Sequence, residues 1–561
     1  MVCVRSLSKD MAQPADIQER TKTFALWSAL MKKVQRLPSY LVAALCFGIF
    51  ISGCATVPEQ LYRNPTLSLE FTETTSLGKL CGGYTSEHAD LSGFSLLNEG
   101  RSAFFARTSL ADLAERSLDV QYFIWERDMT GSILTEHLIE AAKRGVRVRL
   151  LIDDFNAGGH GFSLRALNAC PNVEVRLYNP FRQHLMTKLG RTVELLASFA
   201  RLNHRMHNKL FIADNQVALV GGRNIANAYF GAGSAYNFRD FDLFSVGPVV
   251  KDISRSFDDY WNSAWAIPAG DLYPSAPSTD DVRKAYEKLK LYIASHPEYP
   301  YRDSLGYTES LEGVSRLCNE LIWGRAEVAS DSPGKDKSPD SQQITSMLKE
   351  FLGNAKQQVL IVTPYLVPAD PVMLREKLTD LQSKGVAVRI LTNSLGSTDM
   401  VSAHVGYAKY RKLMVQCGVE LYEVRPDAAS RTIYTAEAEP SSVLGLHGKA
   451  ALVDRSCVFI GTFNFDQRSA NINTEVGLLV YSPELAQKIA SAVAVDFQGQ
   501  NSWRVSLASD CAPDLQPKSD QDLVWIADEE GGRSCLAKEP SGTRRLLIRS
   551  ILGLLPIQSQ L

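Results

Sequence analysis

Two stretches of the chain carry the same polar skeleton: RMHNKLFIADNQVALVGGRN at Arg205–Asn224 and GLHGKAALVDRSCVFIGTFN at Gly445–Asn464. In each, a His is followed two residues on by a Lys, then after four apolar or small residues by an Asp, then by Gly-Gly or Gly-Thr, then by an Asn. The pairs His207/His447, Lys209/Lys449, Asp214/Asp454 and Asn224/Asn464 share one offset of 240 residues. A lone His of this kind reads as a hydrogen-bonded core residue. Two copies matching at five polar or glycine positions read as two half-sites.

The residue types fit a phosphate. His and Lys two apart point to one face of an extended segment. A Lys ammonium supplies charge, an Asn carboxamide a neutral donor, and a His imidazole a group that attacks or carries a proton near pH 7. Cleaving a phosphodiester needs a nucleophile on one side of phosphorus, an acid for the leaving alkoxide on the other, and positive groups for the non-bridging oxygens. Two His and the set Lys209, Lys449, Asn224 and Asn464 cover those roles, so no cofactor or metal is called for. Asp214 and Asp454 are expected to brace the site. The ten Cys follow no metal spacing, and no CxxC, HExxH or GxxxxGK[ST] is present.

Each motif reads as strand, tight turn, strand: LFIAD and VALVGG in one, AALVD and CVFIGT in the other, with turns at Asn215-Gln216 and Arg455-Ser456. Upstream, the first half runs from Ala103 as helix, strand (LDVQYFIW), helix (ILTEHLIEAAKRG) and strand (VRVRLLIDD). The second half repeats that order from Ser346, and Arg144-Gly145-Val146 and Lys384-Gly385-Val386 keep the same offset. This duplication predicts an α/β fold of two similar halves with mixed sheets, related by an approximate two-fold, with the motifs meeting at the seam.

A length of 561 residues suits two domains, and 45% hydrophobic with 22% charged residues describes a globular protein. The net charge of −2 gives no pull toward nucleic acid, which is not expected as a partner. Residues 31–54, MKKVQRLPSYLVAALCFGIFISGC, have the cations, short apolar run and small residues of a secretory signal. Its end, Ile51-Ser52-Gly53-Cys54, resembles a lipobox, which implies lipidation of Cys54, and residues 1–30 then read as an overcalled start. Ala55 after that Cys favours, by resemblance to sorting rules, the outer membrane facing the periplasm. The expected layout is 55–265 for the first half, with 60–100 as a polar lead-in, 266–345 for a polar, Pro-punctuated connector, 346–500 for the second half, and 501–561 for a tail. Cys511 and Cys535 could pair in an oxidising compartment. The basic, apolar stretch 181–208 and the tail helix TRRLLIRSILGLL read either as membrane-surface elements or as ordinary helices of the body.

The HxK(x)4D element followed by G-[GST]-x-N resembles the signature of the phospholipase D superfamily. Further stretches, GGRNIANAYFGAG, GYAKYRKLMVQCGVELYE and FIGTFNFDQRSANINTE among them, resemble bacterial cardiolipin synthases of the C type. The resemblance implies that His207 forms a covalent phosphohistidine while His447 serves as acid and base. It also implies that a carboxylate downstream of each motif orients the His of the opposite half, which places Glu475 with His207 and Asp242 with His447. The implied substrates are phospholipids at a membrane surface, phosphatidylglycerol and a second phospholipid. Transfer to an alcohol would make a cardiolipin synthase, transfer to water a phospholipase D. A nuclease and a non-enzymic lipid-binding lipoprotein are further alternatives.

Overall fold

A computed structural model of the chain describes residues 65–155, 161–181, 188–272, 276–301, 307–335, 341–435, 442–511, 519, 522–529 and 531–552. The expected signal segment and Cys54 lie outside them. The chain divides into two compact units, Met1–Val57 with Thr187–Phe199, and Pro58–Met186 with Ala200–Leu561. In the smaller unit the described element is the helix Lys188–Ala197, which exposes Val193 and Leu196. The strands among the described residues all belong to the larger unit.

Its frame is one continuous sheet of 18 strands. The first half supplies β1 Ser92–Leu97, β2 Ser117–Tyr122, β3 Arg147–Asp153, β4 Val173–Tyr178, β5 Leu210–Ala213, β6 Val217–Gly221, β8 Asp242–Val246 and β9 Ala266–Pro268, while β7 Tyr236–Arg239 stands apart from the sheet. The second half supplies β10 Ile322–Ser330, β11 Gln358–Val362, β12 Ala387–Asn393, β13 Glu420–Val424, β15 Ala450–Val453, β16 Cys457–Gly461, β17 Val476–Tyr481, β18 Ser502–Leu507, β19 Leu523–Glu529 and β20 Gly532–Leu536, with β14 Val443–Leu446 pairing β7. Strands β2, β3 and β4 are parallel, as are β11, β12 and β13. Their apolar runs are covered by connecting helices, which is the condition for a parallel sheet. In the first half these are α1 Gly100–Leu113, α2 Met129–Lys143 and α3 Gly161–Asn168. Asp128 starts α2 by accepting the amide of Gly131 at 3.1 Å.

The lateral order β8-β6-β5-β2-β3-β4-β9 of the first half recurs as β17-β16-β15-β11-β12-β13-β18 in the second. Between the two series, β1 and β10 pair antiparallel, Gly93 opposite Trp323, and join the halves into one sheet. Strand β1 comes from the stretch read as a lead-in, and β10 from the stretch read as a connector. That connector also forms the helices α4 Thr279–Ala294 and Tyr307–Asn319, so its described residues are largely helix and strand. A single apolar core crosses the seam: Phe94, Leu243 and Val250 pack with Ile460, Leu478 and Ile489. Each such side chain contributes on the order of 1.5–3 kcal/mol on burial, so neither half is closed without the other.

The motif hairpins turn one residue earlier than expected. Gln216 N donates to Ala213 O and Ser456 N to Val453 O, at 3.0 and 3.1 Å, so the central residues are Asp214-Asn215 and Asp454-Arg455. All four have positive φ, between 51° and 53°, as a type I′ turn requires. Asp214 Oδ1 and Oδ2 accept the amides of Glu115, Arg116 and Ser117, and Asp454 accepts those of Lys356, Gln357 and Gln358. The motif Asp therefore clamps the start of β2 or β11, at the far end of the hairpin from the His. It braces the fold and does not reach the site.

The segment after residue 500 is no simple tail. Strands β18 to β20 extend the sheet, Cys511 and Cys535 form a disulfide, and the helix Thr543–Leu552 packs along Val401–Ala408. Arg545 in that helix donates to the carbonyls of Leu395 and Thr398 at 2.8 and 2.6 Å.

Candidate active site

Because β5 runs antiparallel to β2 and β15 antiparallel to β11, the residues entering β5 and β15 lie at the carboxyl ends of the parallel strands. His207 and Lys209 precede or start that turn of chain in one half, His447 and Lys449 in the other. Each His is then fixed by backbone of the opposite half. Met206 bridges Thr474 and His207 N donates to Thr474 O at 2.9 Å; Leu446 pairs Arg239 and His447 N donates to Arg239 O at 2.8 Å. The residue following Thr474 is Glu475, and the residue following Arg239 is Asp240. The same register that fixes the His thus delivers a carboxylate beneath it.

Glu475 Oε2 lies 2.8 Å from His207 Nδ1, and Asp240 Oδ2 lies 2.7 Å from His447 Nδ1. Asp242 does not touch His447. It opposes Gly221 across β8 and β6, whereas in the other half Gly477 opposes Gly461, so the counterpart of Glu475, two residues before Gly477, is Asp240. Asp242 instead holds the guanidinium groups of Arg107 and Arg223 at 2.9 and 3.2 Å in the core. Both Asp residues of FRDFD fall on one face by alternation, and only the register separates them.

With Nδ1 bonded to a carboxylate, Nε2 is the ring nitrogen of each imidazole that is left to meet a substrate. Burial first, and then the neighbouring lysines, push both rings below their ordinary range, His447 to about 4 and His207 well down. Both are neutral at pH 7 in the free protein, and the Nε2 lone pair of His447 faces Lys449 Nζ at 3.1 Å. Lys209 Nζ donates to His207 O at 2.7 Å and Lys449 Nζ to His447 O at 2.5 Å. Burial lowers Lys209 to about 7 and Lys449 to about 8, each set back up in part by the site's carboxylates. Asn224 Oδ1 accepts from Ile124 N at 3.1 Å, and Asn464 is buried near the Glu475 network, its amide N–H donating to Ser469 Oγ at 3.2 Å. Phe123 meets His207 edge-on at 5.1 Å, and Tyr229 meets His447 at 4.9 Å.

The two halves differ under the carboxylates. Gly222 leaves the space that the Asp240 carboxylate fills, since a Cβ there would sit 2.2 Å from Oδ1. Its counterpart Thr462 donates a hydroxyl to Glu475 Oε2 at 2.5 Å, and Ser469 donates to Oε1 at 2.7 Å. Beneath Glu475 lies an ion pair that sequence reading assigned to the connector: Lys335 Nζ reaches Asp331 Oδ2 and Ser469 O, both at 2.7 Å, and Glu475 N donates to Asp331 Oδ2 at 3.1 Å. Burial raises Glu475 to about 7 and Asp331 to about 7, while His447 and Lys449 outweigh burial at Asp240 and hold it ionised well below the usual range. Nothing in the polar run GKDKSPD distinguishes Lys335 from a surface lysine.

Among the described cations of stretch 181–208, Arg205 and Arg201 are structural. Arg205 is buried on Asp153 at 3.1 Å, and Arg201 donates to Asn179 Oδ1 at 2.7 Å.

An α/β chain whose duplicated His-Lys half-sites meet at a pseudo-two-fold, each His backed by the opposite half's carboxylate, is an enzyme of the phospholipase D superfamily, a phosphatidyltransferase. The chain belongs to the family described as "Cardiolipin synthase, PLD-like domain", matched twice, at residues 108–261 and 348–496. It is 36% identical over 483 residues to cardiolipin synthase C of Escherichia coli (strain K12), covering 84% of this chain and 97% of that one. It is 31% identical over 487 residues to an uncharacterised protein of Helicobacter pylori (strain J99), covering 86% and 92%. The major cardiolipin synthase of Bacillus subtilis (strain 168) is 25% identical over 405 residues, covering 72% and 68%.

Two outcomes are expected from this geometry. Asp240→Asn removes the partner that fixes the His447 tautomer and lowers turnover by about 10²–10⁴-fold, whereas Asp242→Asn lowers thermal stability and leaves the turnover number of the folded protein unchanged. Steady-state kinetics beside thermal melts decide it, and the reverse pattern would restore Asp242 as the orienting group. Sulfate, a dianion that does not titrate between pH 6.5 and 9, should inhibit competitively, and its inhibition constant should rise with pH. Lysines lowered to about 7 and 8 carry their charge only below those values, and Glu475, raised to about 7, gains negative charge over the same range. The constant rises about tenfold per unit above pH 8 for each proton that binding must take up; a flat profile would show that the lysines stay charged.

Proposed function

We propose that this enzyme transfers a phosphatidyl group from one phospholipid to the glycerol hydroxyl of phosphatidylglycerol, forming cardiolipin. The observation that carries the reading is the pair of buried His, each with a carboxylate of the opposite half on Nδ1, in a chain similar over most of its length to a cardiolipin synthase. In the first step His207 Nε2 attacks phosphorus, the bond to the leaving head-group oxygen breaks, and His447, protonated once an anionic substrate raises its affinity for a proton, gives that proton to the departing alkoxide. In the second step neutral His447 takes the proton of the incoming hydroxyl, whose oxygen attacks phosphorus as the bond to His207 breaks. Lys209, Lys449, Asn224 and Asn464 surround the non-bridging oxygens, where buried charge is worth most. Asp240 remains anionic throughout and steadies the His447 imidazolium.

A membrane surface is part of the reading. Exposed Val372 and Met373 follow β11, Met400 follows β12, and Ile433 follows β13, all at the strand ends where His447 lies. Leu547 on the docked C-terminal helix is also exposed. Apolar side chains on the rim of a lipid enzyme's site suit the interface of a bilayer. The lipobox at Cys54 supports attachment to the outer membrane with the enzyme in the periplasm, where the Cys511–Cys535 disulfide is at home.

Expression in a cardiolipin-deficient bacterium tests the reaction. Wild type should restore cardiolipin and His207→Ala should not. Phosphatidic acid accumulating in place of cardiolipin would make water the acceptor and the enzyme a hydrolase. Anchoring is tested with labelled palmitate, which wild type should incorporate and Cys54→Ser should not; equal labelling of the two would place the lipid elsewhere or nowhere.

A further inference from the structure

Between the helix layer and the sheet of the first half lies a cavity of about 280 Å³ that the catalytic arrangement does not use. Leu150 and Ile152 of β3, Ile139 of α2, Leu164 and Leu167 of α3 and Leu289 of α4 form its walls. One end is the ring of Trp125, whose indole N–H is already committed to Gly131 O and Thr135 Oγ1 at 3.3 and 3.2 Å. The walls formed by these side chains therefore ask for no hydrogen bond. The rim carries Glu126, Arg127 and Lys288, all exposed, so the cavity communicates with solvent there.

The Trp125 end is continuous with the active site through the chain itself. Trp125 bridges Ile225, the residue after Asn224, and Glu126 N donates to Ile225 O at 2.8 Å. Two residues before Trp125, Phe123 packs edge-on against His207. The outer wall, α4, comes from the segment between the two family matches at 108–261 and 348–496. Covering apolar lining that is open to solvent is favourable by about 25 cal/mol per Å², so the space suits an apolar group. A hydrocarbon chain is the apolar group that a phosphatidyl substrate carries within reach of its phosphate.

We propose that this cavity is an acyl-chain site: it takes one fatty-acyl chain of the phospholipid whose phosphate lies at His207. The inference rests on the phosphatidyl-transfer reading and adds to it the place where the lipid's tail is held. A filled cavity anchors the diacylglycerol moiety during the covalent step while the head group leaves and the acceptor enters.

The test uses the full chain and phosphatidylglycerol carrying a diazirine near the end of one acyl chain, in mixed micelles, with irradiation and peptide mass spectrometry. Adducts should concentrate in the peptides spanning residues 164–170 and 282–289. They should fall at least tenfold in Ala285→Trp, which fills the space from α4, or in Leu167→Trp, which fills it from α3, whichever retains the wild-type melting temperature. Adducts confined to other surfaces, or undiminished in the folded filled variant, overturn the proposal. Crosslinking needs no turnover, so the two readings fail separately. Cardiolipin formed without adducts here removes the acyl site, and adducts here in a protein that makes no cardiolipin remove the phosphatidyl-transfer reading and leave the site standing.

Discussion

The active site depends on two short pieces of backbone pairing that cross from one half to the other. Met206 lies beside Thr474 and Leu446 beside Arg239, and the next residue on each strand pair is a His on one side and a carboxylate on the other. A carboxylate that must meet an imidazole at 2.7–2.8 Å cannot be delivered by a flexible side chain from a loose loop. Here it is delivered by register. The core that crosses the seam, with β1 paired to β10, keeps the halves from sliding, so the chemistry inherits its precision from the packing of Phe94, Leu243, Ile460 and Leu478.

Within that near-symmetric frame the two His differ in what surrounds their carboxylates, with Gly222 in one half where Thr462 stands in the other. Where there is Gly, the Asp240 carboxylate moves into the vacant volume and stays ionised. Where there is Thr, its hydroxyl and that of Ser469 hold Glu475, and burial raises this carboxyl to about 7 against the lowering pull of Lys209 and of the two hydroxyls. A duplicated gene product begins with two equal half-sites, and a reaction with distinct entering and leaving roles needs them unequal. The pocket under each His is where that inequality is built.

The duplication, its offset and the alternation of apolar runs carried the α/β class, the two halves and the six His, Lys and Asn positions, because motif spacing and hydrophobic period are local properties of a chain. What depended on long-range register was not legible. FRDFD offers Asp240 and Asp242 on one face, and the choice between them is made by the pairing of β8 with β6. The roles of β1 and β10 were hidden for a related reason. SGFSLL and IWGRAEVAS are short and partly polar, and they become strands because the edges of two sheets need each other. Asp214 and Asp454 looked like part of the site because they recur with it, yet they recur because the hairpin that presents the His needs a residue tolerant of positive φ and a clamp for the next strand's amides.

Burial of two lysines beside two neutral imidazoles would be unfavourable in a protein designed only to be stable, since each ammonium is taken out of water without a full counter-charge. Burial, and at Lys209 the charge of Lys449 as well, lowers the two to about 7 and about 8. A phosphodiester removes that penalty, because an anion arriving between the two halves restores to both lysines the charge that burial has weakened. In the proposed mechanism the same anion raises the affinity of His447 for the proton that it gives to the leaving group. Substrate binding and acid activation are thus one electrostatic event. A chain with a net charge of −2 gains little from long-range attraction of its substrate; its affinity for phosphate has to be generated inside the site, by four buried nitrogen-bearing side chains that the seam between the halves brings together.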